Sequence, residues 1–200
     1  MKSILYYTCN SHQEEIEMMC REQLLKSGLP IVSVSLNKEI DFGTIQLVME
    51  GERGPDAMLK QIIIGLEKCP YDYVFMAEND VLYHPSHFIE QQGDKFYFNT
   101  NVWKWKWGSD LTIWTDDLQQ LSGMSGKRDV LLNHFKSIGE FNRHYEPRDN
   151  RENYVSEQPN IDIRHDKNVT KSKWSPDDFR NKKYAKGFKE GSIKDLWLKI

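Results

Sequence analysis

Residues 73–77 read YVFMA, five consecutive apolar residues bounded by Cys69-Pro70 on one side and Glu78-Asn79-Asp80 on the other. An unbroken apolar run of this length is expected of a strand covered on both faces, and such strands sit in the middle of largely parallel sheets. The preceding sequence is built to match. Residues 3–8 (SILYYT) form a β-branched and aromatic run that stops at Cys9-Asn10-Ser11. Ser11 with Glu14 has the spacing of a capping box, and Ile16, Met19, Cys20 and Leu24 recur at helical intervals up to Gly28 and Pro30. Residues 31–36 and 44–49 read as two further strands. Gly51-Glu52-Arg53-Gly54-Pro55 then opens a helix through Leu59, Ile62, Ile63 and Leu66. Alternating strands and helices predict an α/β fold with helices on both sides of a central mixed, mainly parallel sheet.

The second half is less regular. Strands are expected at 95–99, 101–107, 111–115 and 161–163, and a helix over 127–138. At 200 residues the chain suffices for one domain, read as a nucleotide-binding half (1–90), an acceptor half (91–164) and a basic segment (165–200). From His165 onward ten Lys or Arg stand against five acids. That segment therefore carries +5 and the remainder −8, within a net charge of −3. This asymmetry suits an anionic partner or a solvated terminus. With 38% apolar and 28% charged residues the composition is globular, and no run reaches the roughly 18 apolar residues of a membrane span. The odd set Cys9, Cys20 and Cys69 has no metal-like spacing and fits a reducing compartment, so a cytoplasmic location is expected.

The acids after residue 77 carry the chemistry. Open α/β sheets place ligands at the carboxyl ends of their strands. A carboxylate there can hold Mg²⁺ or Mn²⁺, which favour oxygen ligands and share their sites with substrate phosphates. Asp80 is the first choice of ligand, and Glu78 and Asn79 accompany it. The competing reading is a turn whose acids cap the next helix.

The pieces SILYYTCN, MEGERGPDAMLKQIIIGLEKC and YDYVFMAEND together resemble the nucleotide-binding half of A-type-fold glycosyltransferases, with Glu78 in place of the first acid of an Asp-x-Asp motif. The resemblance implies a single-domain fold of that type and transfer of a sugar from a nucleoside-diphosphate sugar. The acceptor would be a hydroxyl on a glycan or on a modified base in DNA. It also places Thr8, Cys9, Asn10 and Arg53 near the nucleotide and makes His165 a late metal ligand. Asp162 is the alternative ligand, or the residue that orients His165. The loop LSGMSG, including Ser125, would border the acceptor. An inverting enzyme needs a base, for which Glu146 is the candidate.

Residues 101–108 (NVWKWKWG) alternate Trp and Lys, placing Trp103, Trp105 and Trp107 on one face of a strand. Such a face serves either as core or as an aromatic platform for an acceptor. Two rival functions stand beside sugar transfer. A nucleotidyltransferase also uses acids at a strand end, but is expected to have a glycine-rich loop after the first strand, which YYTCNSHQEE lacks. A non-catalytic carbohydrate- or nucleic-acid-binding domain would use only the tryptophans.

Overall fold

The computed structural model describes residues 1–11, 13–115, 118–138, 145–168 and 187–198. Two mixed sheets and three helices make up a single α/β domain. The first sheet has seven strands. They are β1 (Lys2–Thr8), β2 (Ile31–Leu36), β3 (Ile45–Met49), β4 (Tyr73–Glu78), β6 (Phe96–Asn99), β9 (Met124–Lys127) and β10 (Arg151–Tyr154), in the order β10-β6-β9-β4-β1-β2-β3. Strands β3, β2, β1 and β4 run parallel, as the apolar runs predict, while β9 lies antiparallel between β4 and β6. All six residues of β2 and the first five of β4 are buried.

Helix α1 (Glu14–Leu25) covers one face of this sheet, with Leu24 packed among Ile4, Tyr6 and Phe75. Helices α2 (Pro55–Lys68) and α3 (Arg128–Ser137) cover the other, through Leu59, Ile62, Leu66, Leu131 and Phe135. Gly65 lets α2 come close: a Cβ there would lie 2.3 Å from Leu5 Cδ1 and 2.9 Å from Val34 Cγ2. The expected capping box is absent. The helix starts after Gln13 without a side-chain cap, and the Ser11 hydroxyl is engaged with Cys9 Sγ at 3.0 Å.

The second sheet was not foreseen as a separate layer. It comprises β5 (Val81–Leu82), β7 (Val102–Lys106), β8 (Leu111–Thr115), β11 (Asn160–Arg164) and β12 (Phe188–Ser192), in the order β12-β8-β7-β11-β5. It shares a core with α1, in which Trp105, Ile161 and Ile163 meet Ile16 and Cys20. Because β5 follows β4 after a two-residue turn and pairs with β11, the acids at the end of β4 are delivered to the seam between the sheets.

The stretch LSGMSG is not a flexible loop. Leu121–Gly123 is a 3-10 turn, and the rest lies in β9. Its glycines permit close backbone approach: a Cβ on Gly123 would lie 2.8 Å from the Asn99 carbonyl, and one on Gly126 3.1 Å from that of Lys95. No helix among the described residues is long and apolar enough to cross a membrane.

Candidate functional site

The chain leaves β1 toward β2 and β3 on one side and returns to β4 on the other. The carboxyl ends of β1 and β4 therefore flank a topological switch point, where doubly wound sheets form a ligand crevice. Thr8 ends β1. Its hydroxyl accepts a hydrogen bond from Asn79 Nδ2 at 2.8 Å, and its carbonyl accepts one from Gln61 of α2 at 2.9 Å. Asn10, with a left-handed φ of 53°, donates from Nδ2 to the Leu36 carbonyl at 2.8 Å and so ties the end of β1 to that of β2. Cys9 is half-buried beside it.

Across the switch point stand three acids. Tyr7 donates to Glu78 Oε1 at 3.1 Å, and the Glu78 amide donates to the Tyr83 hydroxyl at 3.0 Å. Burial, followed by the neighbouring charges of Asp80 and Asp162, pushes the Glu78 carboxyl up to about 8. Asp162 reaches the seam from β11, opposite Val81 of β5. It pairs with Arg164 on the same strand at 3.1 Å, both side chains being nearly buried. The guanidinium of Arg164 also feels Asp80 and Glu78. One buried cation thus serves three carboxylates.

The turn after β11 closes over Asp80. Asn168 Nδ2 donates to Asp80 Oδ2 at 2.7 Å, and Asn168 Oδ1 accepts from the His165 amide at 2.6 Å. His165 Nε2 lies 3.7 Å from the same Asp80 oxygen, while Nδ1 accepts from the Lys167 amide at 3.3 Å. With Nδ1 an acceptor, a neutral imidazole carries its proton on Nε2 and turns a donor, not a lone pair, toward Asp80. Arg53, exposed in the loop between β3 and α2, donates to the Lys167 carbonyl. Asp80, Asp162, His165, Glu78, Asn79, Thr8 and Arg53 therefore belong to one neighbourhood. Among the described residues no group of three or more His, Cys, Asp or Glu side chains is arranged to hold a metal ion.

No protein-family model and no curated protein matches the sequence. Solved structures do. The inositol-1-phosphate CTP transferase from T. maritima aligns over 92% of this chain and 93% of its own, with a TM-score of 0.51 and 11% identity. The bifunctional IspDF from Campylobacter jejuni aligns over 78% of this chain and 50% of its own, at a TM-score of 0.43 and 8% identity. The first likeness shows a shared fold. It corrects the glycosyltransferase expectation, because the architecture matched along nearly the whole of both chains is that of a CTP-transferring enzyme. Strand, loop, helix and acidic strand end suit metal–phosphate chemistry in general, so the first ninety residues alone do not separate the two classes.

The remaining expected residues fall elsewhere. Trp105 is 5% exposed, sits in the core with Ile161 and Ile163, and donates from Nε1 to the Ser109 carbonyl at 2.7 Å. Its ring is not offered to an acceptor. Trp107 packs edge-on against it, and Trp103 lies under Gly191, which leaves both half-buried. Ser125 is buried in β9, its hydroxyl 3.0 Å from that of Tyr73, so it does not form an acceptor rim. Glu146 follows Tyr145, whose carbonyl lies 2.6 Å from His134 Nε2 on α3, on the α2–α3 side of the first sheet. Much of the basic segment, including the lysines between 171 and 186, lies outside the described residues.

Sequence reasoning missed Tyr7, Arg164 and Asn168. Tyr7 reads as one more apolar strand residue, and Asn168 as part of a polar loop. For Arg164 a signal existed: in the stretch Asp162-Ile163-Arg164, strand alternation puts both charges on one face.

Proposed function

We propose that this chain is a nucleotidyltransferase: it binds a nucleoside triphosphate at the β1/β4 switch point and transfers the nucleotidyl group to an acceptor, releasing pyrophosphate. The observation that carries this reading is the convergence of Glu78, Asp80 and Asp162 at that crevice, in a fold that aligns end to end with a CTP transferase. The donor set fits Mg²⁺ or Mn²⁺ held by one or two carboxylates and completed by substrate phosphates, which is how Mg²⁺ is commonly bound, rather than an all-protein cage. Asp80 and Asp162 are the residues that would hold it. Once bound, the ion would neutralise charge on the triphosphate.

The absent glycine-rich loop has a consequence for orientation. The loop after β1 leads into α1, whose first turn carries Glu14, Glu15 and Glu17. These acids oppose the anion affinity of a helix N-terminus. The phosphates are better received on the side of Arg53 and Lys167, while the end of β1, with Thr8 and Asn10, faces the nucleoside. Glu78 and Asn79 fix the floor between them.

Thermal denaturation with each nucleoside triphosphate, with and without Mn²⁺, tests this reading. Binding at 100 times Kd stabilises a folded protein by about 2.7 kcal/mol. The expected result is Mn²⁺-dependent stabilisation by at least one triphosphate, lost in Asp80→Asn, together with pyrophosphate release in the presence of an acceptor. Absence of stabilisation by every triphosphate in the wild-type protein would overturn it.

A further inference from the structure

The turn formed by His165, Asp166, Lys167 and Asn168 is fastened to two sides of the crevice. One fastening is the hydrogen bond that Asn168 Nδ2 donates to Asp80 Oδ2 at 2.7 Å, with His165 Nε2 3.7 Å from the same oxygen. The other is the Arg53 guanidinium on the Lys167 carbonyl, a contact joining residues 114 positions apart in sequence. Within the turn, Asn168 Oδ1 accepts from the His165 amide and His165 Nδ1 accepts from the Lys167 amide. Each link in the series from Arg53 to Asp80 is therefore a hydrogen bond or the turn's own backbone. His165 is 1% exposed at its side chain, which leaves the turn little room to shift without moving the imidazole.

We infer that Asn168 is a positioning residue. It holds the Asp80 carboxylate in place and makes the 165–168 turn a strap through which the Arg53 loop and Asp80 sense each other. This assignment rests on the nucleotidyltransferase reading for its purpose, but the strap itself exists in the ligand-free protein. Phosphates drawn to Arg53 compete with the Lys167 carbonyl for its donors and so loosen the strap. Asp80 is then freed to turn toward the cation that accompanies those phosphates. Donor binding and cation binding are coupled by this arrangement, and the coupling is reciprocal. Asn suits the position because it both donates and accepts. Asp would keep the acceptor for His165 but set a second carboxylate against Asp80.

Hydrogen exchange on the ligand-free chain reads the strap directly. Arg53→Ala, an exposed substitution, should speed exchange of the His165 and Lys167 amides by about 3- to 10-fold, as expected for losing one charge-assisted bond. Asn168→Ala should do the same from the Asp80 side and also speed exchange in the 51–54 loop. Unchanged exchange at 165–168 in Arg53→Ala would overturn the strap. Mn²⁺ titration in the presence of CTP reads the positioning role. Asn168→Ala should weaken Mn²⁺ affinity by about 10-fold while the melting temperature of the ligand-free protein hardly moves. Equal affinity in wild type and variant would overturn that role. A wild-type protein that binds neither Mn²⁺ nor CTP would count against nucleotidyl transfer and equally against a positioning role for Asn168, whereas the exchange result judges the strap by itself.

Discussion

Two buried polar clusters among the described residues are built on opposite principles. In the crevice, Glu78, Asp80 and Asp162 crowd like charges together with Arg164 as the buried cation among them. Elsewhere, around the 3-10 turn Pro85–His87, the partners are neutral. His87 Nδ1 is approached by Asn99 Nδ2 at 3.0 Å, Asn160 Nδ2 at 3.1 Å and the Tyr154 hydroxyl at 3.2 Å. Asn99 adds a bond to Ser156 Oγ at 2.8 Å and accepts from the amides of Asn101 and Ser156. This node joins β6, β10 and β11, so it fastens the two sheets to each other. A neutral hydrogen-bonded network specifies structure, and this one leaves His87 Nε2 and Asn160 Oδ1 buried without a partner among the described residues. A crowded charged one opposes folding and is retained for what it binds.

The sharpest way to break this contrast is to delete the hub of the neutral node. Asn99→Ala removes its bonds to His87 and Ser156 and leaves buried donors and acceptors without partners. It should destabilise the protein by about 3–5 kcal/mol, read from urea unfolding. A loss below about 1 kcal/mol would show that the node is not what joins the sheets.

Acid should act through the same node. Burial drives the His87 imidazole down to about 3. The unfolded chain, titrating near 6.5, then binds a proton that the folded chain refuses. His87 contributes no penalty above about pH 6.5, and stability falls as the pH drops below that value toward 3. The limiting slope is about 1.4 kcal/mol per pH unit, or roughly 2–3 kcal/mol between pH 6.5 and 4.5. His87→Gln, compared with wild type across that window, should flatten the slope. An unchanged slope would assign acid sensitivity to other groups.

The crevice should behave in the reverse sense and more weakly. The folded pKa of Glu78 lies above its unfolded value, so its contribution is favourable below about pH 4.5 and is lost as the pH rises through about 8. Glu78→Gln keeps an oxygen for Tyr7 and removes the charge. Without metal at pH 8 it should stabilise the protein, by about 1–2 kcal/mol given that the side chain is only partly buried. It should also weaken cation-dependent binding of a triphosphate. A destabilised Glu78→Gln protein would mean that Arg164 already balances the site, and the distinction between the two clusters would narrow.

How much of this could be read in the sequence differs along the chain. The elements of the first half follow from apolar runs and helical spacing, because β1, β2 and β4 are buried on both faces and say so locally, while the edge strand β3 alternates half-buried and exposed residues. In the second half β9 was hidden, since MSGK has no apolar run and its glycine, Gly126, serves backbone approach to Lys95 as Gly123 just before it does to Asn99. The edge strand β10 (RENY) is mostly exposed and carries no hydrophobic pattern. The Trp/Lys alternation was legible as a two-faced strand, but which face met the core was not.

By itself the sequence determined a strand–helix alternation, a central apolar strand, and an acid at that strand's carboxyl end. Each of these is a matter of short-range periodicity, with causes lying within a few residues. Only the tertiary structure decided that Asp162 and Arg164 arrive at the same seam from β11, that Asn168 rather than His165 makes the 2.7 Å bond to Asp80, and that Trp105 turns into the core. These outcomes depend on the pairing of β5 with β11 and of β7 with both β11 and β8. Such long-range pairing fixes which face of a strand is covered and which side chains meet, and local periodicity contains no record of it.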